Sequence, residues 1–140
     1  MSEWVRVARH VDERQSRPQT SGRLKMEFIL MAYVQETGWD KLTPEQQKQG
    51  MAAYTAYTRS LADAGVLMVN RRLGSSGSSR TLRGINGNTQ VLDGPYSDSK
   101  EQLGGLYIIK VNDRAEAMRW AAKCPAVGHG VLEVRELPAQ

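Results

Sequence analysis

The sequence has few of the residues that build disulfide bonds and metal sites. Only one of its 140 residues is cysteine, Cys124, and only two are histidine, His10 and His129. A single cysteine excludes an internal disulfide and a multi-cysteine zinc site, and it fits a reducing compartment. Two histidines are too few for most histidine-rich metal sites. We therefore predict neither a metal nor another cofactor.

Long apolar runs are also missing. No stretch approaches the roughly 18 consecutive apolar residues that a membrane helix needs, and residues 1–25 contain no apolar segment of the secretory-signal kind. We therefore expect a cytoplasmic protein without membrane association. A chain of 140 residues with 40% hydrophobic content has room for one domain with one core.

The positive net charge of +4 is unevenly distributed. Residues 1–25 hold six of the 19 basic residues but three of the 15 acidic ones, whereas the rest of the chain is nearly balanced. A folded part without a basic stripe argues against a nucleic-acid partner. Because residues 1–25 are polar, we predict an arm there, either disordered or lying along a neighbouring subunit, and a folded domain over residues 26–140.

Residues 26–65 predict a strand followed by a helix. Residues 28–33 are almost continuously apolar, as in a central strand. Thr43-Pro44-Glu45-Gln46 combines a capping residue, a proline at the first helical position and a glutamine three residues after the cap. Apolar residues then recur every three or four positions up to Leu61, and Gly65 suits the end of a helix.

The second half predicts a hairpin and another strand, helix and strand. The serine- and glycine-rich residues 74–79 predict a flexible loop, and residues 80–85 and 89–92 flank Asn86-Gly87, a pair typical of tight hairpin turns. The remaining predicted elements are strands at 66–69, 106–109 and 131–137 and a helix opening at Asp113.

This order predicts an α+β ferredoxin-like fold, βαβ-βαβ with an inserted β-hairpin. Both helices would pack on one face of the sheet and leave the other face uncovered. A second copy is the simplest cover, so we expect a homodimer whose sheets enclose a small-molecule cavity. Met31, Met51 and Met68 are expected to fill the core.

The motifs of several enzyme classes are absent. Residues 74–79 lack the lysine of a phosphate-binding loop, and the sequence contains no Gly-x-Gly-x-x-Gly and no Gly-x-Ser-x-Gly. The remaining candidates for a functional site are concentrated in residues 92–107. There Asp93 leaves a strand, Gly94-Pro95 imposes a turn, and Gly104-Gly105 permits close backbone approach. Asp93 could accept hydrogen bonds within its own turn or act as a reactive carboxylate.

Several segments resemble a known family in order and spacing. They are Asp93-Gly94-Pro95-Tyr96, residues 99–105 (SKEQLGG), residues 121–125 (AAKCP) and residues 131–135 (VLEVR). In these segments the sequence resembles the YCII-related proteins, and in particular the branch named for an Asp-Gly-Pro-Phe (DGPF) motif. The resemblance spans residues 26–137, and Tyr96 stands where phenylalanine is usual. It implies a ferredoxin-like fold, dimers of the α-β barrel kind, and a cleft that serves an enzymatic role on a mostly unassigned substrate.

The resemblance also suggests site residues. In the wider family a histidine on the first helix and an aspartate form the proposed acid–base pair. Counted back from Gly65, the histidine's position falls near Tyr54, so this pair is not intact here. Asp93 matches the motif's carboxylate, and Tyr54 or His129 would be its proton-transfer partner. The plainer alternatives are that Tyr54 is a core aromatic and that His129 is an exposed loop residue. Predicted ligand contacts are Tyr33, Arg72, Gly94, Pro95, Tyr96 and Gly105.

The leading hypothesis is a small dimeric protein with a small-molecule cleft and proton-transfer or elimination chemistry. Asp93, Tyr54 and His129 would be its catalytic residues. The alternative is a non-catalytic ligand-binding or accessory module, by analogy with relatives linked to sigma-factor-dependent transcription.

Overall fold

The structure, a computed structural model of the chain, describes residues 24–140. The predicted arm over residues 1–25 lies outside the described residues, apart from its last two positions. No helix within residues 24–140 is long and apolar enough to cross a membrane. In chain order the elements are β1 (Met26–Val34), α1 (Glu36–Asp40), α2 (Pro44–Asp63), β2 (Leu67–Arg72), β3 (Arg80–Ile85), β4 (Asn88–Asp93), β5 (Gln102–Val111), α3 (Arg114–Ala122), α4 (Ala126–His129) and β6 (Val131–Leu137).

Four of the strands form one antiparallel sheet in the order β2-β5-β1-β6. The helices α2 and α3 follow β1 and β5, so each half of the chain contributes two strands and the helix between them. This arrangement is compatible with a ferredoxin-like α+β fold, in agreement with the sequence prediction. The strands β3 and β4 pair separately as a two-stranded antiparallel sheet, here called the ribbon.

Local interactions explain where the helices begin. The Thr43 hydroxyl accepts a hydrogen bond from the Gln46 amide at 3.1 Å, and the Gln46 side chain accepts one from the Thr43 amide at 2.9 Å. This reciprocal pair caps α2, as the sequence predicts. The Asp113 carboxylate caps α3 in a similar way by accepting a hydrogen bond from the Glu116 amide at 2.8 Å.

The hydrophobic core lies between the helices and one face of the four-stranded sheet. Alternate residues of β1 and β5 point into it because successive strand side chains face opposite sides. The core residues of these strands are Phe28, Leu30, Ala32, Tyr107, Ile109 and Val111, and the helical segments add Tyr57, Leu61, Ala117, Ala121, Cys124 and Ala126.

The other face of the sheet, here called the open face, is half-buried rather than buried. Its apolar centre comprises Ile29, Met31, Val69, Leu106 and Ile108, and its polar members include Tyr33, Arg71, Glu133 and Arg135. Within residues 24–140, the helices contribute their buried side chains to the opposite face. The open face is therefore the side of the sheet that the described chain leaves without a helical layer.

Several local features differ from the sequence predictions. The short helices α1 and α4 were not predicted, and residues 74–79, predicted as a flexible loop, contain a 3-10 turn at Ser76–Ser78. Met51 and Met68, predicted to fill the core, are 48% and 46% exposed. Met68 points away because the β2–β5 register shifts between Leu67 and Val69, which leaves it without a strand partner.

Candidate functional site

Most predicted site residues approach one end of the four-stranded sheet. At this end β1 and β2 finish, while β5 and β6 begin. Tyr33 is paired with Leu103 of β5 and with Val131 of β6, and Arg72 is paired with Gly105. The antiparallel register therefore gathers Tyr33, Arg72 and Gly105 at this end, with His129 two residues before β6.

Tyr54 and His129 form a hydrogen-bonded pair beside this end of the sheet. The Tyr54 hydroxyl oxygen lies 2.9 Å from His129 Nε2, and the two rings meet edge-on with centroids 5.9 Å apart. Tyr54 comes from α2 and His129 from the last position of α4, 75 residues later. From the sequence, Tyr54 and His129 are alternative partners of Asp93, whereas the structure brings them to each other.

The environment of Tyr54 keeps its hydroxyl protonated. Burial raises the pKa of Tyr54 to about 12, with smaller contributions from Cys124 and Tyr107. At neutral pH the phenol is therefore a hydrogen-bond donor rather than a base. One turn further along α2, the Thr58 hydroxyl donates to the Tyr54 carbonyl at 2.9 Å and lies 3.2 Å from the Tyr107 hydroxyl. These contacts connect the Tyr54 turn of the helix to the core.

A close backbone approach at Gly130 positions His129. The Gly130 amide donates to the Ala126 carbonyl at 2.7 Å. A Cβ atom at Gly130 would lie only 2.3 Å from the Tyr33 carbonyl oxygen and 3.1 Å from Val34 Cγ1. Only glycine fits this contact, which brings the end of α4 against β1 and places the His129 ring beside Tyr54.

Asp93 lies apart from this pair, at the end of the ribbon. Its carboxylate is 3.1 Å from Arg80 Nε, directly across the β3–β4 register, and its side chain is 88% exposed. Among the described residues, its side chain makes no hydrogen bond to Tyr54 or His129. Two hydrogen bonds to the backbone of Gly94 hold the turn that follows Asp93. The Gly94 amide donates to the Ser79 carbonyl and the Gly94 carbonyl accepts from Thr81 Oγ1, both at 2.9 Å.

An open groove of about 600 Å³ separates the base of the ribbon from the segment that leads into β5. Pro95 and Tyr96 line this groove, as do Leu82 and Arg80. Tyr96 is 78% exposed, and the Arg83 guanidinium lies 5.6 Å from the centroid of its ring. Of the predicted ligand contacts, Pro95 and Tyr96 thus share one concave surface, which residues 24–140 leave open to solvent.

Tyr33 takes part in a polar cluster on the open face. Its hydroxyl donates to Glu133 Oε1 at 3.3 Å, and Glu133 Oε2 accepts from Arg135 at 2.6 Å. The pKa of Glu133 is lowered chiefly by its hydrogen bond with Arg135, while that of Tyr33 is raised by burial and by the nearby Glu133 charge. Since Tyr33 faces away from the helices, it lies on the opposite side of the sheet from Tyr54.

A contact between Glu36 and Ser76 was not foreseen from the sequence. The Glu36 carboxylate accepts hydrogen bonds from both the amide and the hydroxyl of Ser76, and these bonds lower the pKa of Glu36. The contact ties the start of α1 to the segment before the ribbon. Because the two residues are 40 positions apart in polar, unpatterned segments, no sequence signal relates them. Within residues 24–140, no three His, Cys, Asp or Glu side chains converge on a possible metal position.

Comparison with known proteins places the chain in a family. Residues 26–138 match the model of the YCII-related domain. An uncharacterized protein of Rhizobium meliloti (strain 1021) is 32% identical over 96 residues, which cover 69% of this chain and 77% of that protein. The matched region contains every described secondary-structure element, from β1 to β6. The chain therefore belongs to the YCII-related family.

Proposed function

We propose that this protein is a homodimeric enzyme that binds a small molecule at the end of the sheet and transfers protons through Tyr54 and His129. The observation that carries the proposal is the 2.9 Å contact between the Tyr54 hydroxyl and His129 Nε2. It joins a phenol that stays protonated at neutral pH to an exposed imidazole. A hydrogen-bond donor beside a proton acceptor is the minimal equipment for acid–base catalysis.

The substrate class follows from this pair. In the tautomer that carries its proton on Nε2, His129 donates to the Tyr54 oxygen, and Tyr54 can donate its own proton to a substrate oxygen. The free Nδ1 lone pair can then accept a proton from a carbon next to a carbonyl group. The electron pair of the broken C–H bond forms an enolate, whose oxygen Tyr54 stabilises. Return of the proton to another atom gives isomerisation, and departure of a β-substituent gives elimination.

Asp93 is the third residue that we propose to take part in the reaction, and we include it because it is the carboxylate of the Asp-Gly-Pro motif. We assign the chain to the DGPF branch on the strength of Asp93-Gly94-Pro95-Tyr96. In the described chain Asp93 is paired with Arg80, so it would act on a substrate only after exchanging that partner. The turn also offers Pro95 and Tyr96 as substrate contacts in the groove, and we regard the ribbon as an insertion in a ferredoxin-like frame.

The homodimer is supported by the open face. This face has an apolar centre with charged residues towards its edges, as in many subunit interfaces. A second copy that packs its own open face here would supply the missing layer. We place the dimer in the cytoplasm because of the single, buried cysteine.

Hydrogen exchange in D₂O tests the chemistry without knowledge of the product. The protein is incubated with a panel of small 2-oxo acids and 3-oxo acids, and C–H to C–D exchange is followed by ¹H NMR. We expect exchange with at least one compound, which Tyr54→Phe, His129→Ala and Asp93→Asn each reduce by about tenfold or more.

Tyr57→Phe is the matched control, since it also removes a tyrosine hydroxyl from α2, three residues after Tyr54. The Tyr57 hydroxyl donates to the Trp120 carbonyl and is directed into the core. We expect this variant to keep the parent exchange rate. Equal rates for all four variants would refute the proposed chemistry, and binding without any exchange would favour the non-catalytic alternative.

A further inference from the structure

Arg72 lies on the same side of the sheet as Tyr54. Asn70 and Arg72 both point towards the helices, because residues two apart on a strand share a face. Thr58 of α2 fixes the alignment of helix and sheet. Its hydroxyl oxygen is 3.5 Å from Asn70 Nδ2 and 3.2 Å from the Tyr107 hydroxyl, and Asn70 and Tyr107 are partners in the β2–β5 register. Thr58 therefore packs over the row that these two residues form.

Tyr54 lies over the next row, which pairs Arg72 with Gly105. The short turn after α2 reverses the chain, so α2 and β2 run in opposite directions. Two residues along a strand advance about 6.6 Å, and one turn of helix spans about 5.4 Å. A step from Asn70 to Arg72 on the strand thus corresponds to a step of one turn from Thr58 back to Tyr54 on the helix. Arg72 and Tyr54 consequently border the same space at the end of the sheet.

The packing of α2 leaves this row unfilled. Gly105 has no side chain, and a Cβ atom on its helix-facing side would meet only backbone atoms of β2. They are the Arg71 carbonyl oxygen at 3.3 Å and Arg72 Cα at 4.0 Å, so within residues 24–140 no atom of α2 lies within 4 Å of that position. A gap therefore separates the sheet from the helix at Gly105, with Arg72 at its side and Tyr54 above it.

Arg72 is an exposed cation without a partner among residues 24–140. Its guanidinium makes neither an ion pair nor a hydrogen bond with them. The neighbouring Arg71 points to the open face and donates to the Asn70 carbonyl at 2.9 Å. A guanidinium carries five N–H donors in a planar fork that matches the two oxygens of a carboxylate. Arg72 is therefore equipped to bind a carboxylate beside Tyr54.

We propose that the substrate is an oxo acid and that Arg72 binds its carboxylate. The inference rests on the proton transfer proposed above and names the substrate class of that site. In a 2-oxo acid the carboxylate is attached to the reacting carbonyl carbon, and in a 3-oxo acid one carbon separates them. Both spacings place an anion close to the carbonyl oxygen that accepts a hydrogen bond from Tyr54.

The charge of Arg72 also stabilises the intermediate. His129 takes up the proton of the broken C–H bond, and the electron pair of that bond moves into an enolate. An oxo acid thereby gains a second negative charge, while Arg72 keeps its proton. A cation beside the carboxylate offsets the repulsion between these two charges. A neutral ester of the same acid lacks the carboxylate and gains nothing from Arg72.

Binding is measured on the full chain with pyruvate, acetoacetate and their methyl esters as probes. ¹⁵N–¹H spectra of the histidine and arginine side chains follow each titration. We expect the acids to shift the His129 signal and to bind at least about tenfold more tightly than the esters. Arg72→Gln should weaken binding of the acids about 10- to 100-fold, as the loss of a hydrogen bond to a charged group does, and leave the esters within about twofold.

Arg71→Gln is the matched control, since it removes the same charge one residue earlier, on the opposite face of the sheet. It should leave the affinity for the acids within about twofold of the parent. Arg72→Lys keeps the charge but not the planar fork, so we expect an affinity between those of the parent and Arg72→Gln. Circular dichroism of each variant verifies that the fold is retained.

The outcomes separate this inference from the proposed chemistry. Failure of the acids to bind, or equal binding to the parent and to Arg72→Gln, refutes the role of Arg72. Equal losses in Arg71→Gln and Arg72→Gln refute it as well, because they show a general effect of charge. Exchange in D₂O without a preference for the acids refutes the oxo acid but leaves the Tyr54–His129 chemistry standing. Binding of the acids through Arg72 without C–H exchange of any compound supports the carboxylate site and refutes the proposed chemistry.

Discussion

The two glycines that flank His129 give a sharp test of how the site is built. Gly130→Ala places a methyl group 2.3 Å from the Tyr33 carbonyl oxygen, a distance that forces the backbone apart. Extra volume in a packed site typically costs about 1–3 kcal/mol of folding free energy. The φ of Gly130 is −154°, which is outside the left-handed region that favours glycine, so the contact with β1 is the main source of this cost.

Gly128→Ala is the matched control, two residues earlier in the same segment. A Cβ atom at Gly128 meets nothing within 4 Å, and the residue lies inside α4. Alanine is the better helix former by about 0.5–1 kcal/mol. We therefore expect Gly128→Ala to be neutral or slightly stabilising, whereas Gly130→Ala is destabilising by about 1–3 kcal/mol.

Urea unfolding followed by circular dichroism measures both changes. A ¹⁵N–¹H correlation spectrum of the histidine ring reports whether His129 Nε2 still contacts Tyr54, and we expect Gly130→Ala to shift this signal while Gly128→Ala leaves it in place. Equal stability of the two variants, or an unchanged His129 signal in Gly130→Ala, would refute the claim that this close approach positions the imidazole.

Three further results are expected. Burial raises the pKa of Tyr54 to about 12 in the folded protein, whereas the exposed phenol of the unfolded chain titrates near 10. The contribution of the protonated Tyr54 to the free energy of unfolding is therefore complete below pH 10 and is lost as the pH rises towards 12. Urea unfolding at about pH 9 and pH 11.5 should show this loss in the parent and a smaller one in Tyr54→Phe, and identical losses would contradict it. Leu61→Ala, at a fully buried position of α2, should lower the free energy of unfolding by about 2–5 kcal/mol in the same assay, so a loss below about 1 kcal/mol would refute its place in the core. Cys124 is 3% exposed and burial raises the pKa of its thiol, so it should react with Ellman's reagent only as fast as the protein opens, and prompt reaction in the folded state would contradict this.

The regular elements could be predicted because their signals are local. The capping residues of α2 lie three positions apart, the apolar run of β1 is continuous, and Asn86-Gly87 has the positive φ values of 49° and 80° that its turn requires. Each of these features depends on neighbours in the chain. The mixed α+β class follows from their order.

The site could be predicted only in part, because its contacts are not local. The sequence identified Tyr54 and His129 separately, but their contact depends on a close approach at Gly130 that no periodicity reveals. The position of Met68 depends on a register shift in β2, which the composition of the strand does not encode. Asp93 was identified from its motif, yet its pairing with Arg80 follows from the register of the ribbon.

The attachment of the ribbon bears on protein engineering. The Leu73 amide donates to the Gly104 carbonyl at 3.0 Å, so the chain leaves the four-stranded sheet and re-enters it at adjacent points. Among residues 24–140, every core side chain lies outside the span 74–101. A shortened chain that joins Leu73 to Leu103 through a tight turn would keep the complete core. This junction is therefore a natural grafting position, where a foreign hairpin or an epitope could replace the ribbon while the remaining scaffold stays folded.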